Sequence, residues 1–101
     1  MNVSLSRAVE VAKALDLDAR ASRTGTAKID VLRGGNVIAR IGHRDYKDYA
    51  QYLELERQGK VPMGYAKERR RLYHIRHAKH IRTEKRNGEY TKAFLASRLL
   101  W

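Results

Sequence analysis

Two short segments of alternating β-branched and polar residues, separated by a pair of glycines, constrain the fold of this chain more than any other feature. Residues 28–32 and 37–41 show this alternation, and Gly34-Gly35 between them allows the positive φ angles of a tight hairpin turn. The pattern predicts a β-hairpin over residues 28–41, to which a strand near residues 18–22 would add a third member. Because an isolated hairpin is marginal in water, helices must cover one of its faces.

Helical periodicity predicts one helix before the hairpin and three after it, and therefore an α+β fold. The first helix is expected over residues 6–15, with Ser4 or Ser6 as its N-cap. The second is expected to follow Asp45 or Asp48 and to carry tyrosines at helical spacing. We expect the hairpin to pack against this tyrosine-bearing helix and against the C-terminal helix.

The second half of the chain contains two further predicted helices, one long and one short. Residues 59–64 include the only proline and predict a break, after which a long polar helix covers about residues 65–83. Asn87-Gly88 is expected to end it, and Glu89 or Thr91 to start the last helix. That helix ends in a very apolar tripeptide at residues 99–101, which we expect to be buried.

Length and composition predict that residues 1–101 form a single small basic domain. A chain of 101 residues can build one modest core, and the absence of cysteine excludes disulfides, thiolate metal sites and zinc fingers. No apolar run is long enough to span a bilayer, and the first residues lack the pattern of a signal peptide. We therefore expect no membrane span and no secretion through a signal peptide.

A large positive charge is the strongest indication of a partner. The chain carries 22 Lys and Arg against 11 Asp and Glu, which gives a net charge of +11. Residues 1–50 contain nine basic and six acidic side chains, whereas residues 51–101 contain thirteen and five. Such a surplus predicts a polyanionic partner that meets the second half of the chain.

The densest positive charge lies at residues 67–86, with nine basic and two acidic side chains. A cationic helix of this kind binds phosphates with little sequence discrimination, although the same charges could also form a solvated helix face. Tyr73 and His77 are expected to lie closer to the core. The predicted nucleic-acid-binding residues are eight cations of this segment: Arg69, Arg70, Arg71, Arg76, Lys79, Arg82, Lys85 and Arg86.

Other constellations favour structural roles over chemistry. His74, His77 and His80 recur every three residues, but a zinc site needs further ligands and the His-Glu-x-x-His motif is missing. Tyrosines at positions 46, 49 and 52 could stack on unpaired bases, yet their spacing is more typical of the buried face of a helix. No nucleophile motif or phosphate-binding loop is present. We expect no catalytic activity, no metal and no cofactor.

Several segments together resemble a family of small basic proteins encoded by double-stranded DNA viruses, namely the giant nucleocytoplasmic viruses and some bacteriophages. The resemblance covers roughly residues 28–101, and its most specific elements are Tyr-x-x-Arg-His on the basic helix and the terminal Leu-Leu-Trp. Asp45 and Ala93 depart from the family pattern, in which glycine is common at both positions. The segments that carry the resemblance are residues 28–31, 41–42, 45–49, 69–77 and 99–101.

The resemblance implies a viral setting, in the virion or the interior of the host cell, and leaves two functions open. The first is a nucleic-acid-associated structural protein that binds DNA, expected to be double-stranded, without sequence preference. The second is a minor capsid or interior scaffold protein that docks to capsid proteins through its apolar C-terminal helix. That helix carries the candidate docking residues Phe94, Leu95, Leu99, Leu100 and Trp101.

Overall fold

The predicted α+β architecture is confirmed, with a three-stranded antiparallel sheet that follows an N-terminal helix. The computed structural model describes residues 2–101. In chain order its elements are α1 (Val3–Ala14), β1 (Asp18–Ala21), β2 (Ile29–Arg33), β3 (Asn36–Ile41), α2 (Tyr49–Arg57), α3 (Tyr65–Ile81), β4 (Lys85–Arg86), β5 (Glu89–Tyr90) and α4 (Lys92–Leu99).

The hairpin of β2 and β3 forms as its sequence predicts, and β1 adds the third strand on the other side of β2. Gly34 and Gly35 have φ angles of 56° and 85°, a combination that glycine adopts without steric cost. A bulge between Val31 and Leu32 shifts the register, so the strict alternation of the sequence does not persist to the turn.

Helices α1 and α4 cover the sheet, whereas α2 packs mainly against α1 and α3. The expectation that the tyrosine-bearing helix covers the hairpin is therefore wrong. The reason lies in side-chain size, because α1 has Ala8 and Ala12 at the interface, both fully buried, and can approach the strands closely. The core contains Ala8, Ala12, Leu17, Ile29, Val31, Ile41, Leu95, Leu99 and Leu100.

The first helix begins earlier than its sequence pattern predicts. Its N-cap is Asn2, whose side chain accepts hydrogen bonds from the amides of Ser4 and Leu5 at 2.8 and 3.3 Å. Asparagine is as good a cap as serine, and this position leaves Ser4 buried inside the first turn. The predicted caps Ser4 and Ser6 are therefore both helical residues.

Asp48, one of the two predicted caps, starts α2. Its side chain accepts from the Gln51 amide, and the Gln51 side chain accepts in return from the Asp48 amide, which completes a capping box. Tyr46 thus lies before the helix and 71% of it is exposed, so it is not part of a buried tyrosine face. At the other end of the chain, Thr91 caps α4 as predicted.

The region after α3 differs from its prediction, because Asn87-Gly88 is the turn of a second, very short hairpin. Both residues have positive φ angles, 54° and 80°, as the two-residue hairpin turn of type I′ requires. Arg33, at the end of β2, binds the Glu89 carboxylate with two hydrogen bonds of 2.9 and 2.8 Å. This pairing lowers the pKa of Glu89 to about 2 and joins β5 to the main sheet.

Candidate nucleic-acid interface

Helix α3, which carries most of the predicted binding residues, lies on α2 and α4 at the surface of the protein. Only Ala66 is fully buried among its seventeen residues, so most of its cations can reach solvent. Its N-cap, Gly64, has no side chain, and the Ala66 amide instead donates to Glu56 Oε1 of α2 at 2.6 Å. A carboxylate at this end also complements the helix dipole and fixes α3 against α2.

We expect Glu56→Ala to lower the free energy of unfolding by about 1 kcal/mol, because the first turn of α3 loses its cap. Urea denaturation measures the change, and hydrogen exchange at the Ala66 amide should become faster. Glu10→Ala is the matched control, since Glu10 is exposed on α1 and does not cap a helix. Equal stability of the two variants would contradict this role for Glu56.

The cations of α3 divide between two faces of the helix. Arg69, Tyr73 and Arg76 follow i, i+4, i+7 spacing, which puts them within about 60° of one another around the axis. They line one side of a groove in the protein surface. Arg70 and Arg71 lie on a second face, where they line a shallower depression.

The residues on the second face already have partners. Arg71 binds Glu68 of the same helix at 3.0 and 2.6 Å, and this contact lowers the pKa of Glu68. Arg70 holds its guanidinium 4.9 Å from the ring centre of Tyr49. Both groups remain exposed to solvent, so these contacts position the cations without burying them.

The predicted surface continues beyond α3, but not as one helix. Lys79 and Arg82 are exposed at the C-terminal end of α3, where Arg82 is the C-cap. Lys85 and Arg86 lie instead on strand β4, so their assignment to the helix is wrong. The helix ends early because the Asn87-Gly88 turn pairs β4 with β5. Seven of the eight predicted residues make no ion pair with a carboxylate within residues 2–101, Arg71 being the exception.

The groove beside α3 is a feature that sequence reasoning missed. It has a volume of about 640 Å³, and its far side is formed by the loop that joins β3 to α2. The rest of its lining comes from residues 26–28, Arg40, Tyr52, Lys92 and Ala96 and from the end of the chain. Its aromatic lining residues are His43, Tyr46, Tyr52, Tyr73, His77 and Trp101.

Three of these rings form a packed wall. Tyr73 stacks on Trp101 with ring centres 4.5 Å apart and an interplanar angle of 7°, and His77 lies 4.3 Å from Tyr73 on a tilted plane. Tyr73 and His77 are partly buried while Arg76 is exposed, as predicted. Burial raises the pKa of Tyr73 and lowers the pKa of His77. The charges of Arg76 and His80 lower the pKa of His77 further.

The groove is strongly cationic. Its one acidic residue is Asp48, which is buried and binds Lys28 Nζ at 3.0 Å. Arg69, Arg76, Lys47 and Lys92 have no carboxylate partner among the described residues. The Arg69 Nε atom is moreover buried and makes no hydrogen bond within residues 2–101. The groove therefore presents positive charge that the protein itself leaves unmatched.

The sequence contains one signal for this groove, the run of tyrosines and cations at residues 44–52. Base stacking by these tyrosines is the less favoured interpretation of the sequence because helical spacing suggests a buried face. Tyr46 is not part of such a face because the capping box at Asp48 starts the helix only after Tyr46. No sequence pattern could have joined this loop to α3 and to Trp101.

Neither metal-binding nor membrane-spanning features appear in the described part of the chain. Residues 2–101 contain no group of three or more histidine or acidic side chains that could hold a metal ion. None of their helices combines the length and the apolar character needed to cross a bilayer. Comparison with protein-family models, with curated proteins and with solved structures found no match to this chain.

Proposed function

We propose that this protein binds nucleic acid without sequence preference, double-stranded DNA included, through the cationic surface of α3 and the β4 strand that follows it. The observation that carries this proposal is that the predicted cations are largely unpaired. All of them except Arg71 lack a carboxylate partner within residues 2–101. Elsewhere in the chain Arg20, Arg40 and Lys28 pair with buried aspartates and have structural roles.

Unpaired and exposed cations are what counterion release requires. Each Lys or Arg that neutralises a phosphate frees a condensed counterion, which supplies affinity independent of base sequence. This mode of phosphate binding does not require a helix in the major groove or side chains that read the bases. The resemblance to proteins of double-stranded DNA viruses favours a role as a structural component that accompanies the viral genome.

The alternative, docking to a capsid protein through α4, has less support. Phe94, Leu95, Leu99 and Leu100 are all buried in the protein's own core, at 7% exposure or less. Trp101 is partly buried against Tyr73 and Tyr52. The apolar surface on which the docking alternative depended is therefore used for folding.

A salt titration tests the proposal. We expect Lys79→Glu/Arg82→Glu to weaken binding to a duplex of random sequence and to reduce the slope of log affinity against log salt. The reduction should be about 0.9 for each phosphate that the variant no longer neutralises. Fluorescence anisotropy of a labelled duplex between low and moderate salt gives both the affinity and the slope.

The control variant is Lys13→Glu/Arg23→Glu, which changes the net charge equally. Lys13 is in the last turn of α1 just as Lys79 is in the last turn of α3, so each variant places a new carboxylate in the last turn of a helix. We expect this control to keep the wild-type salt slope. Equally weakened binding in both variants would mean that net charge alone matters, and no binding by the wild-type protein at low salt would refute the proposed function.

A further inference from the structure

We propose that the groove between α3 and residues 42–48 binds one unpaired nucleotide of a single-stranded nucleic acid. The base would lie on the ring of Tyr46 and the phosphate would meet Arg69 and Arg76. This inference rests on the proposed function and deepens it, because it names the form of nucleic acid that the groove selects. Three features of the groove carry it: a free aromatic face, an unmatched guanidinium and a suitable volume.

Tyr46 supplies the free aromatic face. It is 71% exposed, and its one ring contact within residues 2–101 is an edge-to-face pair with His43 at 5.1 Å. In that geometry one ring uses an edge and the other uses a single face, so each keeps at least one face free of its partner. The faces of Tyr73, in contrast, already meet Trp101 and His77. A base can therefore stack on Tyr46 without breaking the packed aromatic wall.

Arg69 supplies the phosphate contact. Its guanidinium lies 5.7 Å from the ring centre of Tyr52, and its Nε is buried without a hydrogen-bond acceptor in residues 2–101. The guanidinium has further N–H donors besides Nε, and a phosphate oxygen is a strong acceptor that arginine binds with two parallel bonds. Arg76, about two helical turns further along the same face and exposed, can meet the same phosphate or the next one.

Volume and charge together favour a nucleotide over other ligands. A groove of about 640 Å³ lies in the range of small-ligand sites, and a nucleotide fits such a space. A purely apolar ligand would leave the unpaired cations unmatched, and an acidic peptide would leave the Tyr46 face without a stacking partner. A base attached to a phosphate provides both a partner for the cations and a ring that stacks on Tyr46. Because every base has a π-face, such a site tolerates any base sequence. Duplex DNA cannot use this site, because its bases are stacked on each other.

The test compares a labelled twelve-residue oligothymidylate with a duplex of the same length. We expect Tyr46→Ala to weaken binding of the oligothymidylate at least about fivefold, the lower end of what one stacked base contributes, and to leave duplex binding unchanged. Tyr46→Phe keeps the ring and should keep the wild-type affinity. Met63→Ala, which also removes a large exposed side chain but lies outside the groove, should have no effect.

Trp101 provides a second readout, since it is the only tryptophan and lines the groove. We expect the oligothymidylate to change its fluorescence in the wild-type protein and this change to be absent in Arg69→Gln. Unchanged oligothymidylate affinity in Tyr46→Ala, with salt-dependent duplex binding retained, would overturn this inference and leave the proposed function standing. Competition by a polyglutamate peptide as strong as by the oligothymidylate would also overturn it. Absence of all nucleic-acid binding in the wild-type protein would refute both this inference and the proposed function.

Discussion

Leu99→Ala is expected to lower the free energy of unfolding by about 2–5 kcal/mol, the range for removing a buried leucine from a core. Leu99 is fully buried in the cluster that joins α4 to the sheet and to α1. A domain of this size has a total stability of only about 5–15 kcal/mol, so one such cavity removes a large fraction of it. Thermal or urea denaturation followed by circular dichroism measures the change.

The end of the chain should respond even more strongly to truncation. Deletion of residues 99–101 removes Leu99 and Leu100, both buried, and the indole that stacks on Tyr73. We expect denaturation of this variant at room temperature to show no cooperative unfolding transition. Leu53→Ala is the matched control, because Leu53 is 41% exposed on α2 and its truncation leaves no internal cavity. A Leu99→Ala variant as stable as Leu53→Ala would contradict the position of α4 in the core.

Asp48→Ala is expected to cost about 3 kcal/mol or more, because it removes both a helix cap and a buried ion pair. Asp48 is 2% exposed, caps α2 through the Gln51 amide, and binds Lys28 Nζ at 3.0 Å. Without it, the largely buried Lys28 ammonium keeps only the Gln51 side chain, at 2.7 Å, as a partner. Removing one member of a buried ion pair is strongly destabilising since the other charge stays buried. Urea denaturation measures the difference from the wild-type protein.

Two further variants separate the contributions of Asp48. Asp48→Asn keeps an oxygen that can cap α2 but removes the negative charge, so it should destabilise the protein less than Asp48→Ala does. Asp45→Ala removes an exposed aspartate three residues earlier, which does not cap the helix, and should change stability by less than about 0.5 kcal/mol. Equal effects of Asp45→Ala and Asp48→Ala would show that the capping box is unimportant.

Some local features are predictable because their causes lie within a few residues of each other. The Gly34-Gly35 turn, the caps Asp48 and Thr91, and the basic helix up to Ile81 all depend on short-range hydrogen bonds or steric freedom. Asn87-Gly88 carries an equally local signal, but the prediction of a helix end from it is wrong. The flanking strands β4 and β5 are only two residues long and lack the apolar alternation that marks a hairpin.

The buried carboxylate of Asp30 in the sheet has a role that depends on the pairing between strands. Asp30 is flanked by Arg20 on β1 and Arg40 on β3 in the strand register and is only 3% exposed. A hydrogen bond with Ser22, together with Arg20 and Arg40, lowers the pKa of Asp30. Along the chain it is merely the polar member of an alternating strand, because both arginines are distant from it in sequence.

By itself the sequence determined the four helices and the three-stranded sheet of this protein, its excess of positive charge and the segment where that charge is densest. Periodicity, caps and turns are properties of neighbouring residues, and charge is a property of composition. Only the tertiary structure decided that α1 and α4 cover the sheet, and that Arg69 and Arg76 face a groove while Arg70 and Arg71 face away. The groove unites residues of two loops, of β3, of helices α2, α3 and α4 and of the end of the chain, and the packing of the core alone brings those distant segments together.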